Sequence, residues 1–457
     1  MVSPFFVALL AICVLGKVSC HSYWVEDCSP PFENVLQSDP CRPGGKWDEL
    51  LKRCNGYFAE SCYQCFSGEL CEHKEDVQNC SLVAGVHNPI SFDEYWSQLA
   101  GQPCSYIPAG FRMAYLYNDI SSSKIMISPL EPALRELHSF VGNAETNGYI
   151  IFPSLGATQG VEAALSAVSI SICEEYNVEK ADVFAQAPYY SHFVWLANNS
   201  LQTTRWNPNA DPQAPTTIEI VTWPNNPDGR KLQPLQPDPK RRVYDLSFYW
   251  QTYTEIETML NEEIMVFSGS KHSGLSASRG GWLLVKDPKF ALGVQAYIYN
   301  TTIGVPVDTQ LRLLAHAKHI LNSHTSERKE DELPPFYDFM GNMNRQRFAE
   351  LETMFMGNDE YELVNAKTMG GLAWIHCKKM GYSCPALFAE IGLQGFSGLY
   401  FGANDSYVRF SMALPDVEHA IFLEKIKIRL STKQLTAKPP SHLKQQYNII
   451  PGTRSFP

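Results

Sequence analysis

The chain of 457 residues is 44% hydrophobic and 19% charged, which suits a globular protein with a large core and two or three domains. Its formal net charge of -11 argues against nucleic acid as a partner. Beyond residue 20 no segment has the length and apolarity of a membrane helix.

In chain order, residues 1–20 carry an apolar run over 4–16 ending in Val18-Ser19-Cys20, the form of a secretory signal, although its leading residues lack Lys and Arg. The run is too short to span a bilayer, so no membrane insertion is expected once it is removed. Of 13 cysteines, Cys13 and Cys20 leave with the signal. Most of the others crowd between Cys28 and Cys104, the density of a disulfide-stapled module in an oxidising compartment. Cys62, Cys65 and Cys71 form Cys-x2-Cys-x5-Cys; zinc sites of this kind use two Cys-x2-Cys pairs, so no metal is expected. Cys377 and Cys384 are close enough for a small-loop disulfide, and Cys173 reads as a buried thiol. Asn79, Asn198, Asn300 and Asn404 each open an Asn-x-Ser/Thr acceptor. The expected location is the secretory pathway, vacuolar or extracellular.

After the cysteine-rich stretch, Ser128-Pro129-Leu130-Glu131 reads as a capping box opening a helix through Val141, ended by Gly142. Short β-rich runs over 149–152, 183–185, 218–221, 243–244, 264–267 and 281–285 then alternate with helices, including 161–172, 311–322 and 344–356. That alternation predicts an α/β protein with a mainly parallel sheet and its functional loops at strand ends. The expected division is a signal over 1–20, a cysteine-rich module over 21–85, a large domain over 86–335 that includes the first segment of the small one, a small C-terminal domain over 336–437, and a flexible tail over 438–457.

The run Val266-Phe267-Ser268-Gly269-Ser270-Lys271-His272, followed by Ser278-Arg279-Gly280-Gly281, reads as an anchor for pyridoxal phosphate. Its lysine can form a Schiff base with the cofactor's aldehyde, and Ser268 and Arg279 can hold the phosphate, arginine by its planar fork. Four further needs are met N-terminal to Lys271. Asp245 can sit under the pyridine nitrogen and keep it protonated, which makes the ring a better electron sink. Asn226, in Pro224-Asn225-Asn226-Pro227-Asp228-Gly229, can donate to the ring's 3-oxygen. Ala187-Pro188-Tyr189-Tyr190 puts a tyrosine at a strand end, where it can stack on the ring. Gly156-Ala157-Thr158-Gln159-Gly160 reads as a turn before an apolar helix, whose first N–H groups can bind phosphate. Each piece alone has a plain structural reading as a turn, a packing residue or an N-cap. Their joint order and spacing point to chemistry.

That order resembles the fold-type-I pyridoxal-phosphate enzymes, and within them the alliinase family of plant alliinases and tryptophan aminotransferase-related proteins. The resemblance spans residues 91–430 and rests on Glu94-Tyr95-Trp96, Phe111-Arg112-Met113-Ala114-Tyr115, the Pro224 to Gly229 phrase, Tyr244-Asp245, Ser270-Lys271, Ser278-Arg279 and Ser406-Tyr407-Val408-Arg409. It implies a large domain with a mainly parallel sheet, a smaller C-terminal domain and an amino acid as substrate. Cys41, Cys54, Cys62, Cys65, Cys71 and Cys80 resemble the EGF-like module that precedes this fold in alliinases. By the resemblance Lys271 is the Schiff-base lysine and general base, Asp245 pairs with the pyridinium, Asn226 bonds the 3-oxygen and Tyr190 stacks on the ring. Thr158, beside Ala157, holds the phosphate with Ser268, Arg279 and, in a homodimer, Tyr115 from the neighbouring subunit. Arg409 clamps the substrate's α-carboxylate.

Three positions depart from the family pattern. Phe248 stands where the family usually has a second tyrosine, so the 3-oxygen loses a donor worth about 1 kcal/mol unless Tyr249 or Tyr244 reaches in. His87-Asn88-Pro89 replaces a Gly-Asp near the substrate, where an imidazole could narrow the pocket or add a second base. Ser406 stands where an extra arginine is often found. The resemblance implies, first, a secreted carbon–sulfur lyase that eliminates the β-substituent of an S-substituted L-cysteine sulfoxide, giving pyruvate, ammonia and a sulfenate. The alternative is an L-amino acid aminotransferase, which shares every step up to loss of the Cα proton. A third reading, a non-catalytic binding protein on the same fold, is opposed by the retention of Lys271, Asp245, Asn226, Arg279 and Arg409.

Overall fold

The structure, a computed structural model, describes residues 46–48, 53–55, 62–99, 103, 105, 123, 125–329, 332–364, 370–379 and 381–432. The expected signal, Cys28, Cys41, Cys104, the Phe111 to Tyr115 phrase and the tail lie outside the described residues.

Seven strands build the main sheet: β1 (Ile150–Ser154), β2 (Ala181–Phe184), β3 (Thr204–Trp206), β4 (Thr217–Thr222), β5 (Arg242–Asp245), β6 (Ile264–Ser268) and β7 (Gly281–Val285). Their spatial order is β1-β7-β6-β5-β4-β2-β3. β2 to β6 pair in parallel, while β7 runs antiparallel to both of its neighbours. Because successive side chains point to opposite faces, one strand feeds two cores. Met265, Phe267, Trp282 and Leu284 face the core under α1 (Leu130–Val141) and α4 (Val307–Thr325), whereas Ile264, Val266, Leu283 and Val285 face α2 (Gly156–Tyr176) and α3 (Pro288–Thr302). A sheet buried on both faces has continuous apolar strands, which is why β6 and β7 stand out in the sequence.

Two helix starts differ from expectation. Pro129 occupies the N-cap position of α1 without any side-chain cap bond, so Ser128 does not cap it, although Gly142 ends the helix in the left-handed region with φ 72°. α2 begins at Gly156 and takes in the residues expected to form a turn. α3 was not expected; Asp287 caps it by accepting from Lys289 N–H, with Pro288 in the first turn.

A second sheet of β8 (Tyr361–Leu363), β9 (Leu372–Cys377), β10 (Phe396–Ser397) and β11 (Tyr407–Ser411) is antiparallel in the order β8-β9-β11-β10. It shares a core with α5 (Phe336–Phe355), α6 (Asp416–Ser431) and part of the cysteine-rich stretch, including Cys65, Cys80, Leu82 and Ala84. Leu82–Val83 pairs in parallel with Leu393–Gln394. The buried ammonium of Lys425 on α6 donates to the carbonyls of Val77, Cys80 and Ile391, and Glu418 accepts from Gln64. Residues 62–85 are thus tied to the second sheet by side chains as well as backbone, and they lead directly into the site.

Cys62 bonds Cys71, Cys65 bonds Cys80 and Cys377 bonds Cys384. Cys173 is the one free thiol among the described residues; it is half-buried rather than buried as expected, and desolvation still pushes its pKa up. A peptide map without reductant should return these three pairs, with Cys173 alkylating only slowly before denaturation. Free thiols at any of the six paired positions would contradict the pairing.

Candidate active site

β6 ends at Ser268 and the chain turns at once into a single helical turn, Gly269–His272. The head of this turn is crowded: a Cβ on Gly269 would fall 2.6 Å from Leu313 Cδ2 and 3.0 Å from the carbonyl of Gly280. Ser268 Oγ caps the turn by accepting from Ser270 N–H at 3.2 Å. Lys271 is half-buried, its Nζ donating to the carbonyl of His87 at 3.4 Å and lying 5.6 Å from the centre of the Phe248 ring. Burial, then the cations Arg409 and Arg279, pull its pKa down to about 7 against the opposing charge of Asp245. On the far side of the turn, Trp96 Nε1 donates to the carbonyl of Ser273 at 2.9 Å and braces the loop.

Asp245 ends β5, the neighbour of β6, and is buried. Its Oδ1 accepts from Ser247 N–H at 3.0 Å and Ser247 Oγ at 2.6 Å. Burial raises its pKa, while Ser247 and Lys271 favour the charged form.

Arg409, on β11, is brought from the second sheet to the first. Its Nη1 donates to Asn226 Oδ1 at 3.0 Å and its Nη2 to the carbonyl of Gly85 at 2.7 Å, with the rings of Phe401 and Phe396 4.7 and 5.3 Å away. These partners are neutral, its Nε is buried without a partner, and burial lowers its pKa to about 10. A buried cation matched only by neutral groups is a ready receptor for a carboxylate. The same contact orients Asn226: its oxygen is turned to Arg409, so its NH2 remains as a donor.

Tyr190 lies among these charges: burial raises the pKa of its hydroxyl, and Arg409, Asp245 and Arg279 all act on it. At the other end, α2 starts without a side-chain cap, leaving the first N–H groups free of intrahelical partners. The Arg279 guanidinium sits against this helix start, since a Cβ on Gly156 would fall 2.7 Å from its Nη2. Ser268 pairs in register with Gly281, whose own Cβ would meet the Gly156 backbone at 2.7 Å. Ser268, Arg279 and the turn of Ala157 and Thr158 therefore converge on one cup of donors, fit for a phosphate.

The residues thus fit pyridoxal phosphate: donors for the phosphate, a buried carboxylate for the ring nitrogen, a lysine between them and an unmatched arginine beyond. Tyr115 lies outside the described residues. Neither tyrosine considered beside Phe248 fills the missing place. Tyr249 donates its hydroxyl to the carbonyl of Thr258 at 2.7 Å, and Tyr244 is engaged with Glu262. The sequence reading missed Tyr253, which packs edge-on to Phe248 at 5.1 Å with its hydroxyl buried and unpaired. It also missed Ser247 and Ser411. His87 does stand in the site, with Nδ1 2.9 Å from Ser411 Oγ and its ring 5.3 Å from Phe248.

The family model described as Allinase matches residues 84–430. Tryptophan aminotransferase-related protein 2 of Oryza sativa subsp. japonica is 30% identical over 379 residues, covering 77% of this chain and 74% of its own. Alliin lyase 2 of Allium sativum is 28% identical over 378 residues, covering 77% of each. Among solved structures, an aminotransferase from Staphylococcus aureus is similar with a TM-score of 0.55 at 16% identity, over 76% of this chain and 93% of that one. The aspartate aminotransferase from Rhizobium meliloti gives 0.55 at 12%, over 77% and 91%. These structures share the fold-type-I architecture. With most of its length matched, this chain belongs to the alliinase family of pyridoxal-phosphate-dependent lyases and aminotransferases.

Proposed function

We propose that the protein is a secreted carbon–sulfur lyase that eliminates the β-substituent of an S-substituted L-cysteine sulfoxide, releasing pyruvate, ammonia and a sulfenate. The observation that carries an amino-acid substrate is Arg409, a buried cation with neutral partners only, close enough to Lys271 to depress its pKa. When bound, the cofactor supplies an electron sink for the pair left on Cα. Arg409 holds the α-carboxylate, and Lys271 Nζ takes the Cα proton. Asp245, oriented by Ser247, keeps the ring nitrogen protonated, Asn226 NH2 donates to the 3-oxygen and Tyr190 covers the ring. Ala157, Thr158, Ser268 and Arg279 hold the phosphate, completed by Tyr115 from the neighbouring subunit of a homodimer. The phenyl ring of Phe248 and the ring of Tyr253 wall the substrate side. A secretory route, ending in the vacuole or outside the cell, is supported by the apolar leader and by Asn79, Asn198, Asn300 and Asn404, all exposed.

Lys271 acts as a base only when neutral. Turnover should therefore rise with pH from the neutral range upward, since burial and two arginine neighbours bring the amine to about 7 before the phosphate and the α-carboxylate offset those two charges. A pH–rate profile flat across the neutral range would place the base elsewhere.

The second reading, aminotransfer, is supported by the likeness to the rice tryptophan aminotransferase-related protein. The two make opposite demands on a co-substrate. Given an S-alkyl-L-cysteine sulfoxide alone, a lyase releases pyruvate and ammonia continuously, because the leaving group takes the electron pair. Turnover that depends strictly on an added 2-oxo acid, with no ammonia from the sulfoxide, would replace the lyase reading with the second.

A further inference from the structure

We infer that His87 is a specificity-determining residue that presents a neutral Nε2–H donor, fixed by Ser411, to a hydrogen-bond acceptor on the substrate's β-substituent; this rests on the reading of the site as one that binds an L-amino acid at Arg409. The argument starts from a hydroxyl with one hydrogen. Ser411 is fully buried, and its Oγ accepts from Ala413 N–H at 3.2 Å while lying 2.9 Å from His87 Nδ1. A backbone N–H can only donate. Were Oγ also to accept from an Nδ1–H, its own hydrogen would be left without an acceptor in a buried place, at a cost of about 1–3 kcal/mol. Oγ–H therefore donates to Nδ1, and the ring's proton is on Nε2.

A second proton is opposed by burial and by the nearby Lys271 and Arg409 charges, which hold the ring neutral. Nε2 is buried and without a partner. Around the ring stand Phe248 and Tyr253, with ring centres 5.3 and 6.1 Å away, and Gly371, on which a Cβ would fall 3.4 Å from His87 Cε1. The two aromatic faces offer no strong acceptor. Meanwhile the backbone of the same short segment holds both ends of the reacting amino acid's receptor, Gly85 O accepting from Arg409 and His87 O from Lys271. With the α-carboxylate at Arg409 and Cα at Lys271, the donor beside both is left for the group on Cβ. With Nδ1 occupied and Nε2 protonated, His87 is a donor and not the second base that its sequence position allows.

Two measurements test this. In protein labelled with 15N-histidine, the signal lost in His87→Phe should report the neutral tautomer protonated at Nε2; an Nδ1-protonated or charged ring would overturn the inference. The cofactor-loaded protein is then mixed rapidly with increasing S-methyl-L-cysteine sulfoxide or S-methyl-L-cysteine, which differ by one acceptor oxygen, and binding is read from the cofactor's absorbance before any product forms. Wild type should favour the sulfoxide by about 5- to 10-fold, the worth of a neutral hydrogen bond. His87→Phe, or His87→Ala if the first does not fold, should bring the ratio to about one, and His87→Gln, whose amide can donate, should restore part of it. No preference in wild type, or an unchanged preference in His87→Phe, would overturn the assignment of His87 alone. A loaded wild type that responds to neither compound nor to tryptophan would overturn the amino-acid reading beneath it.

Discussion

Lys271→Ala should lower turnover by about ten-thousand-fold, since the general base and the covalent anchor are lost together. The substitution should leave the fold intact. Its amine makes one long hydrogen bond to a backbone carbonyl, and burial favours its neutral form. Folding therefore works against its charge, so the cofactor-free variant should melt no lower than the cofactor-free wild type at neutral pH. Steady-state assays and calorimetry on the same preparations check both halves. A variant that keeps a few per cent of wild-type turnover would show that the proton goes to another group.

Arg409→Gln should lower kcat/KM for amino acids by about 10- to 100-fold, chiefly through KM, because a buried charge-assisted pair is worth about 1.5–3 kcal/mol. Arg409→Lys should rescue little. A single ammonium cannot serve Asn226 Oδ1, the Gly85 carbonyl and an incoming carboxylate in the planar fork that arginine offers. A sharper reading comes from an amine that lacks the carboxylate: wild type should reject it relative to the amino acid, and the glutamine variant should not. Unchanged kinetics with the cofactor still bound would mean that the carboxylate is held elsewhere.

The parts legible in the sequence are those set by burial along one strand. β5 and β6 each end in a polar residue of the site, Asp245 and Ser268, and β6 leads directly to Lys271, so apolar runs locate the residues that follow them. β3 was missed because it is an edge strand of three residues carrying the exposed Arg205. The reversal of β7 has no sequence signal, since side-chain alternation is the same in either direction. Gly156 and Gly160 suggested a turn, yet Gly160 is helical and needed for contact: its Cβ would fall 2.7 Å from Val266 Cγ1, on the sheet beneath α2. Asp287-Pro288 was a readable helix start for α3 that was passed over. The links that complete the site are tertiary. His87 and Ser411 meet across 324 residues, and Arg409 and Asn226 across 183, and neither pairing leaves a local pattern.

The central claim, that Lys271 carries the cofactor, is tested most directly by reducing the purified protein with borohydride and mapping its peptides by mass. The account predicts one pyridoxyl-phosphate group per chain, on the peptide containing Lys271 and on no other. A wild-type protein that takes up no such group after incubation with pyridoxal phosphate, or carries it on a different lysine, would contradict it.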